Sequence, residues 1–144
     1  MISVPKARTY LRAMPLLPVT PAFFAALHDA VVEEFVFDAA VGRLQLTLRL
    51  VSFTNNQFVH RREQVVLSGI RHGADVERMH RRTKAVLSKT CRTELGYGLD
   101  ELRLLPQEAL KREQGRLNVL LVIDHLPVLH LDCQKMTSQE VDFL

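Results

Sequence analysis

Between Arg43 and Phe53 the chain alternates strictly: Leu44, Leu46, Leu48 and Leu50 are separated by Gln45, Thr47 and Arg49. A period of two puts the leucines on one face of a strand and the polar set on the other. One face then packs on a core and one meets water, a pattern typical of antiparallel sheets. Upstream, the β-branched pair Val31-Val32 opens a second strand in which Phe35 and Phe37 share a face and Val36 points the other way, with a turn over 38–42. Thr54-Asn55-Asn56-Gln57 is a turn signal, and Phe58 to Ile70 reads as a third strand, ending at Gly69 or Gly73. Tyr97 to Leu105 is a further strand. The near-continuous apolar run from Leu117 to Asp124 reads as a central one. Asp124-His125-Leu126-Pro127 reverses the chain, after which Leu129, Leu131 and Cys133 alternate with His130, Asp132 and Gln134, completing a hairpin. The polar segment from Met136 onward reads as a single helical turn capped by Thr137 or Ser138.

The spacing changes over Asp75 to Glu94. At 100° per residue, Val76, Met79, His80, Thr83, Val86, Leu87, Thr90 and Cys91 fall on one stripe of a helix that Gly96 would stop. Arg78, Arg81, Arg82, Lys89 and Arg92 fall on the opposite face. A shorter helix is expected to start at Thr20-Pro21, where the Thr hydroxyl can cap and Pro loses no needed N–H. Its apolar face would be Phe23, Phe24, Leu27 and Ala30. Residues 1–19, with three of the six prolines, read as an extended arm anchored by Tyr10, Leu11 and Leu16. The expected fold is α+β in one domain over residues 1–144. It is a mostly antiparallel sheet of five to six strands, with a short N-terminal helix and one longer amphipathic basic helix on one face.

Composition narrows the class. A chain of 144 residues, 47% hydrophobic and 24% charged, suits one ordinary globular domain. The formal charge of +3 is unevenly spread: +2 over residues 1–70, +5 over 71–92 and −4 over 93–144. The basic character is therefore one segment, which bears on partners more than on fold. Two cysteines, Cys91 and Cys133, are too few for a disulfide scaffold, and a cytoplasmic location is expected. No apolar run approaches the ~20 residues that span a bilayer, so no membrane partner is expected. Pro15, Pro18 and Pro21 interrupt the apolar stretch behind the N-terminal basic residues, so no signal peptide is expected either.

Reactive side chains are dispersed by the same periodicities. His28 and Asp29 are adjacent, so their side chains diverge on a helix or a strand alike, and they read as a helix end and a chain turn. His125, His130, Asp132 and Cys133 have a spacing suggestive of metal binding. Period two, however, sends Cys133 away from His130 and Asp132, and zinc needs three or four converging ligands. His80 and Cys91 lie three turns apart. No Gly-x-Ser-x-Gly, Walker loop or Gly-x-Gly-x-x-Gly motif occurs. No catalytic residue, metal site or cofactor is therefore expected. The cations Arg78, Arg81, Arg82, Lys89 and Arg92 are the candidate partner-binding residues. They suit an acidic protein surface or, as an alternative, nucleic acid. No aromatic residue interleaves them for base stacking. Phe58 to Ile70 is also a candidate edge for pairing with a copy of the chain, giving a homo-oligomer.

Leu27-His28-Asp29-Ala30, followed by Phe35-Val36-Phe37 and Leu44 to Leu50, resembles small bacterial β-rich domains of unknown function with immunity-protein-like character. Those open with a short helix, pass a Leu-His-Asp-Ala or similar signature and enter a two-strand hairpin; Gly115 to Gln134 is similar to their closing hairpin. The resemblance implies a non-catalytic, protein-binding role such as inhibition of a toxin. The leading expectation is thus a cytoplasmic protein-binding module. A nucleic-acid-binding regulator using the basic helix face, and an enzyme with a site of unfamiliar type, stand as alternatives.

Overall fold

The structure, a computed structural model, describes residues 7–12, 27, 29–106 and 114–141. They form eight strands and one helix: β1 Ala7–Arg12, β2 Val31–Asp38, β3 Arg43–Thr54, β4 Gln57–Ser68, α1 Ala74–Thr90, β5 Tyr97–Leu104, β6 Leu117–Ile123, β7 Leu129–Cys133 and β8 Lys135–Val141. All strand pairs are antiparallel.

The strand order is β1-β8-β4-β3-β2-β5-β6-β7. Only Gln134 separates β7 from β8, so the two run as one bent strand and the count falls to seven if they are taken together. The first half of this strand pairs with β6 (Leu121↔Leu129, Leu117↔Cys133) and the second half with β4 (Ser68↔Lys135, Arg62↔Val141). The pairing therefore returns on itself through β4, β3, β2, β5, β6 and β7–β8, with β1 added outside β8. Closure covers edges of β4 and β6 that a flat sheet would leave open. At the bend, Gln134 N–H donates to Ser68 O and Arg71 N–H to Asp132 O, each at 2.9 Å. Gly69 sits there with φ +67, and a Cβ on it would come within 2.8 Å of the Gln134 side chain, so the close approach requires glycine.

The inward faces follow the alternation. Leu44, Leu46, Leu48 and Leu50 of β3 join Phe35 and Phe37 of β2, Val65 and Leu67 of β4, Val119, Leu121 and Ile123 of β6, and Leu129, Leu131 and Cys133 of β7 in a single core. β2 carries a bulge at Glu33, where the register shifts between Val32↔Leu48 and Glu34↔Thr47. The join between β2 and β5 is short: Val31↔Gly98 and Val32↔Tyr97, lengthened by Leu95 N–H to Glu33 O and Gly96 N–H to Val32 O.

The helix α1 lies over the inward side of β2. Val76, Met79 and Thr83 are buried, the His80 ring stands 6.5 Å from that of Phe35, and Gly73 is close enough to the Phe37 ring that a Cβ would meet it at 2.7 Å. Asp75 and Glu77 in the first turn and Lys89 in the last complement the helix dipole.

Several expectations are corrected. The α+β arrangement of five to six strands with two helices gives way to a mostly antiparallel, self-closing sheet with one helix among the described residues. The segment expected to be a helical turn after Met136 is strand β8, because Met136 and Ser138 face inward and are buried. Within the expected N-terminal arm, Ala7–Arg12 is a strand paired with β8. The helix ends at Thr90 rather than Glu94, because Cys91 adopts the left-handed conformation at φ 53. The expected helix over Thr20 to Ala30 lies mostly outside the described residues; its last part is a turn in which Ala30 N–H donates to Leu27 O, leading into β2.

Candidate functional site

The five cations expected to meet a partner are all exposed, but they do not act as one row. Arg78, Arg82 and Lys89 fall within a narrow sector of α1, with Arg81 beside it. Arg92 follows the left-handed Cys91 and leaves the helix. It lines a separate shallow cavity of about 450 Å³ with Arg49, Thr93 and Glu94. Lys89 is eleven residues from Arg78, so about 16 Å away along the axis. Arg78 forms an ion pair with Asp75 one turn earlier.

Arg78 and Arg82 are the pair that the fold brings to a common feature. They line a groove of about 390 Å³ whose other residues are Asp75, Met79, Pro127, Val128 and Leu129. The β6–β7 turn supplies one wall and α1 the other. Met79 and Leu129 are buried floor, while Val128 is 52% exposed at the rim. Asp75 also borders an adjoining polar hollow of about 390 Å³ that includes Arg71, His72, Asn118, His130 and Asp132.

Of the other residues singled out in the sequence, His130 and Asp132 line that hollow together, and the rest are not gathered. His125 is exposed at φ 69 in the β6–β7 turn, with its ring 5.2 Å from that of Tyr97. His130 is exposed on the outward face of β7. Asp132 is held by Arg116, and Cys133 faces the core. Burial pushes the Cys133 thiol up to about 12, which suits a packing residue and not a nucleophile. Among the described residues, no group of three or more His, Cys, Asp and Glu side chains could hold a metal ion. Burial, then the nearby Lys84 charge, lowers the pKa of His80, with Glu77 opposing. Cys91 is exposed. Asp29 takes φ 63 in the turn before β2, and His28 lies outside the described residues.

Two buried ionic arrangements escaped sequence reasoning. Arg116, 3% exposed, pairs with the Asp132 carboxylate and donates to Gly69 O at 2.7 Å and Asp132 O at 3.1 Å. It thereby ties the end of β4 to β6 and β7 where the sheet closes. On the outward face, Arg62 holds the bulge residue Glu33 by two bonds of 2.7 and 3.3 Å, and Arg49 reaches Glu94 at 3.6 Å. Burial pushes the Glu33 carboxyl up, but the Arg62 bond, Glu94 and the charges of Arg62 and Arg49 together hold it below the usual value. A second buried carboxylate, Glu63, points inward from β4, accepts from Ser138 Oγ at 2.6 Å and lies 3.7 Å from Arg61 Nε. None of the three sits beside the groove's apolar floor, and all read as supports of the shell.

Comparison with profiles of known protein families, with curated proteins and with solved structures finds no match. No helix among the described residues is long and apolar enough to cross a membrane.

Proposed function

We propose that the chain is a non-catalytic protein-binding module that takes an acidic segment of a partner protein into the groove between α1 and the β6–β7 turn. One observation supports this above the others: Arg78 and Arg82, a turn apart, flank the apolar residues Met79, Pro127, Val128 and Leu129, with Asp75 the one acidic residue of the lining. A cationic rim over an apolar floor fits a peptide that carries carboxylates around one hydrophobic anchor. The anchor displaces water from the floor. The carboxylates compete with Asp75 for Arg78 and engage Arg82 bidentately. Inhibition of a toxin, the role that the immunity-like resemblance implies, is one use of such a surface, with the toxin's acidic face seated on α1. Nucleic acid fits less well, because α1 offers no aromatic for stacking and Asp75 and Glu77 oppose phosphate at its first turn.

The test is fluorescence anisotropy with a labelled acidic peptide bearing a central Leu, beside a Lys-substituted peptide and single-stranded RNA, each across a salt series. Binding of the acidic peptide alone is expected. Arg78→Glu with Arg82→Glu should weaken it at least tenfold without changing the melting temperature. Equal affinity in that variant, or RNA binding with a steep salt dependence and none of the peptide, would refute the reading.

A further inference from the structure

The β3–β4 hairpin outruns its neighbours. β2 reaches along β3 only to Arg49, and β8 reaches along β4 only to Arg62. Beyond those points residues 50–61 pair with each other alone among the described residues, in register from Leu50↔Arg61 to Thr54↔Gln57. A two-stranded ribbon is marginal in water on its own. This one exposes Val51 at 51%, Phe53 at 62%, Phe58 at 71% and Val59 at 47%, four of the seven large apolar residues exposed among the described ones. From Leu50 to Val59 there is no Asp, Glu, Lys or Arg. That stretch also contains no proline, so it lacks the charges and prolines that normally protect an edge strand.

The outer edge of β4 is self-complementary. Asn55 and Asn56 both have positive φ, 52 and 59, as a two-residue type I′ loop requires. Thr54↔Gln57 is then a hydrogen-bonded pair, Phe53↔Phe58 is not, and the pattern alternates down the ribbon. Phe58 and His60 consequently turn their N–H and C=O groups away from β3. An antiparallel copy centred on Val59 sets Phe58 opposite the copy's His60 and His60 opposite its Phe58. Those two pairs use all four outward groups of each chain, making four backbone hydrogen bonds. The same centring stacks Val59 on its own copy on one face. On the other it lines up Phe53, Phe58 and the copy's His60 and Val51 in an aromatic-apolar row, extending the contact of Phe53 with Phe58 (ring centroids 5.1 Å apart). No like charges meet.

We infer that residues 57–61 of β4 pair with the same residues of a second copy, joining two molecules through a four-stranded antiparallel ribbon. The surface shares no residue with the Arg78–Arg82 groove and does not depend on that reading. A phenylalanine buries at most about 150–250 Å², so two per copy stay below the ~800 Å² per partner of a standard interface. The association is accordingly reversible and concentration-dependent.

Sedimentation velocity on the full chain over a concentration series, with disulfide trapping, tests this. The mass is expected to double with concentration. Phe58→Lys should hold the monomer mass with an unchanged circular dichroism spectrum. A non-hydrogen-bonded pair places Cα atoms ~4.5 Å apart, within disulfide reach. Val59→Cys in a Cys91→Ser background should therefore form a covalent dimer under mild oxidation, and Ser52→Cys should not. A monomer at every concentration overturns the inference. So does a dimer that survives Phe58→Lys, equal trapping at positions 52 and 59, or a monomer whose hairpin instead binds neutral lipid vesicles.

Discussion

Replacing Arg116 with methionine removes the cation that ties the closing strand to the end of β4 while keeping an apolar stem of similar length. Arg116 is 3% exposed and bonds Asp132, Gly69 O and Asp132 O. Breaking a buried ion pair from one side costs ~3–5 kcal/mol because the other charge stays behind. The Asp132 side chain keeps 20% of its exposure, so water recovers part of that and the lower end applies. Losing the donor to the Gly69 carbonyl acts in the same direction, by ~1–3 kcal/mol where the acceptor finds no water. The two are one network and do not add in full. The expected loss is about 3 kcal/mol, or roughly 10 °C in melting temperature for a chain of this size. Equilibrium urea unfolding measures it, with Arg103→Met as the comparison. Arg103 pairs with Glu101 at the surface, and its removal should cost under ~1 kcal/mol. Adding Asp132→Leu to Arg116→Met should recover much of the loss, since no unpaired charge remains. A cost for Arg116→Met no larger than for Arg103→Met, or no recovery in the double variant, would refute the view that this pair holds the sheet closed.

Two further outcomes follow from the buried groups. Glu33 titrates lower in the folded chain than its unfolded value of ~4.3, so its stabilisation is complete above that pH and is lost as pH falls through the folded pKa. Glu33→Gln should lower the urea midpoint at neutral pH and flatten its decline in acid; parallel curves for the two proteins would contradict this. A chromogenic disulfide reagent should titrate Cys91 at once and Cys133 only on unfolding, given the exposure of the first and the burial of the second; two fast thiols in the folded protein would contradict the placement.

The sequence was most readable where one face of an element is buried and the other wet. The leucines of β3 and the Val76-Met79-Thr83 stripe of α1 both follow that rule, although Thr47 on the polar face of β3 is buried as well. β8 was unreadable because its inward period includes Ser138, a polar residue buried against Glu63. A buried polar pair erases the alternation on which strand reading depends. Closure was equally hidden: nothing local distinguishes a strand that ends at Cys133 from one that bends at Gln134 and pairs again. Arg116 looks like any basic residue after a glycine, and Glu33 becomes an Arg62 partner only through a bulge. The cationic helix face was visible as charge pattern. The groove was not, because Pro127, Val128 and Leu129 reach α1 only through the folded placement of the β6–β7 turn.

Closure by residues 129–141, which follow both β4 and β6 in the chain, also sets a timetable. A nascent chain that has cleared the ribosome as far as β6 still lacks residues 129–141, so the flanks of β4 and β6 wait with bare hydrogen-bonding rows. The shell completes itself only after synthesis has passed Val141, and until then those rows are open to neighbouring polysomal chains. Lodging this stave after the strands that flank it makes the interval between their synthesis and closure a period of exposure to misassembly.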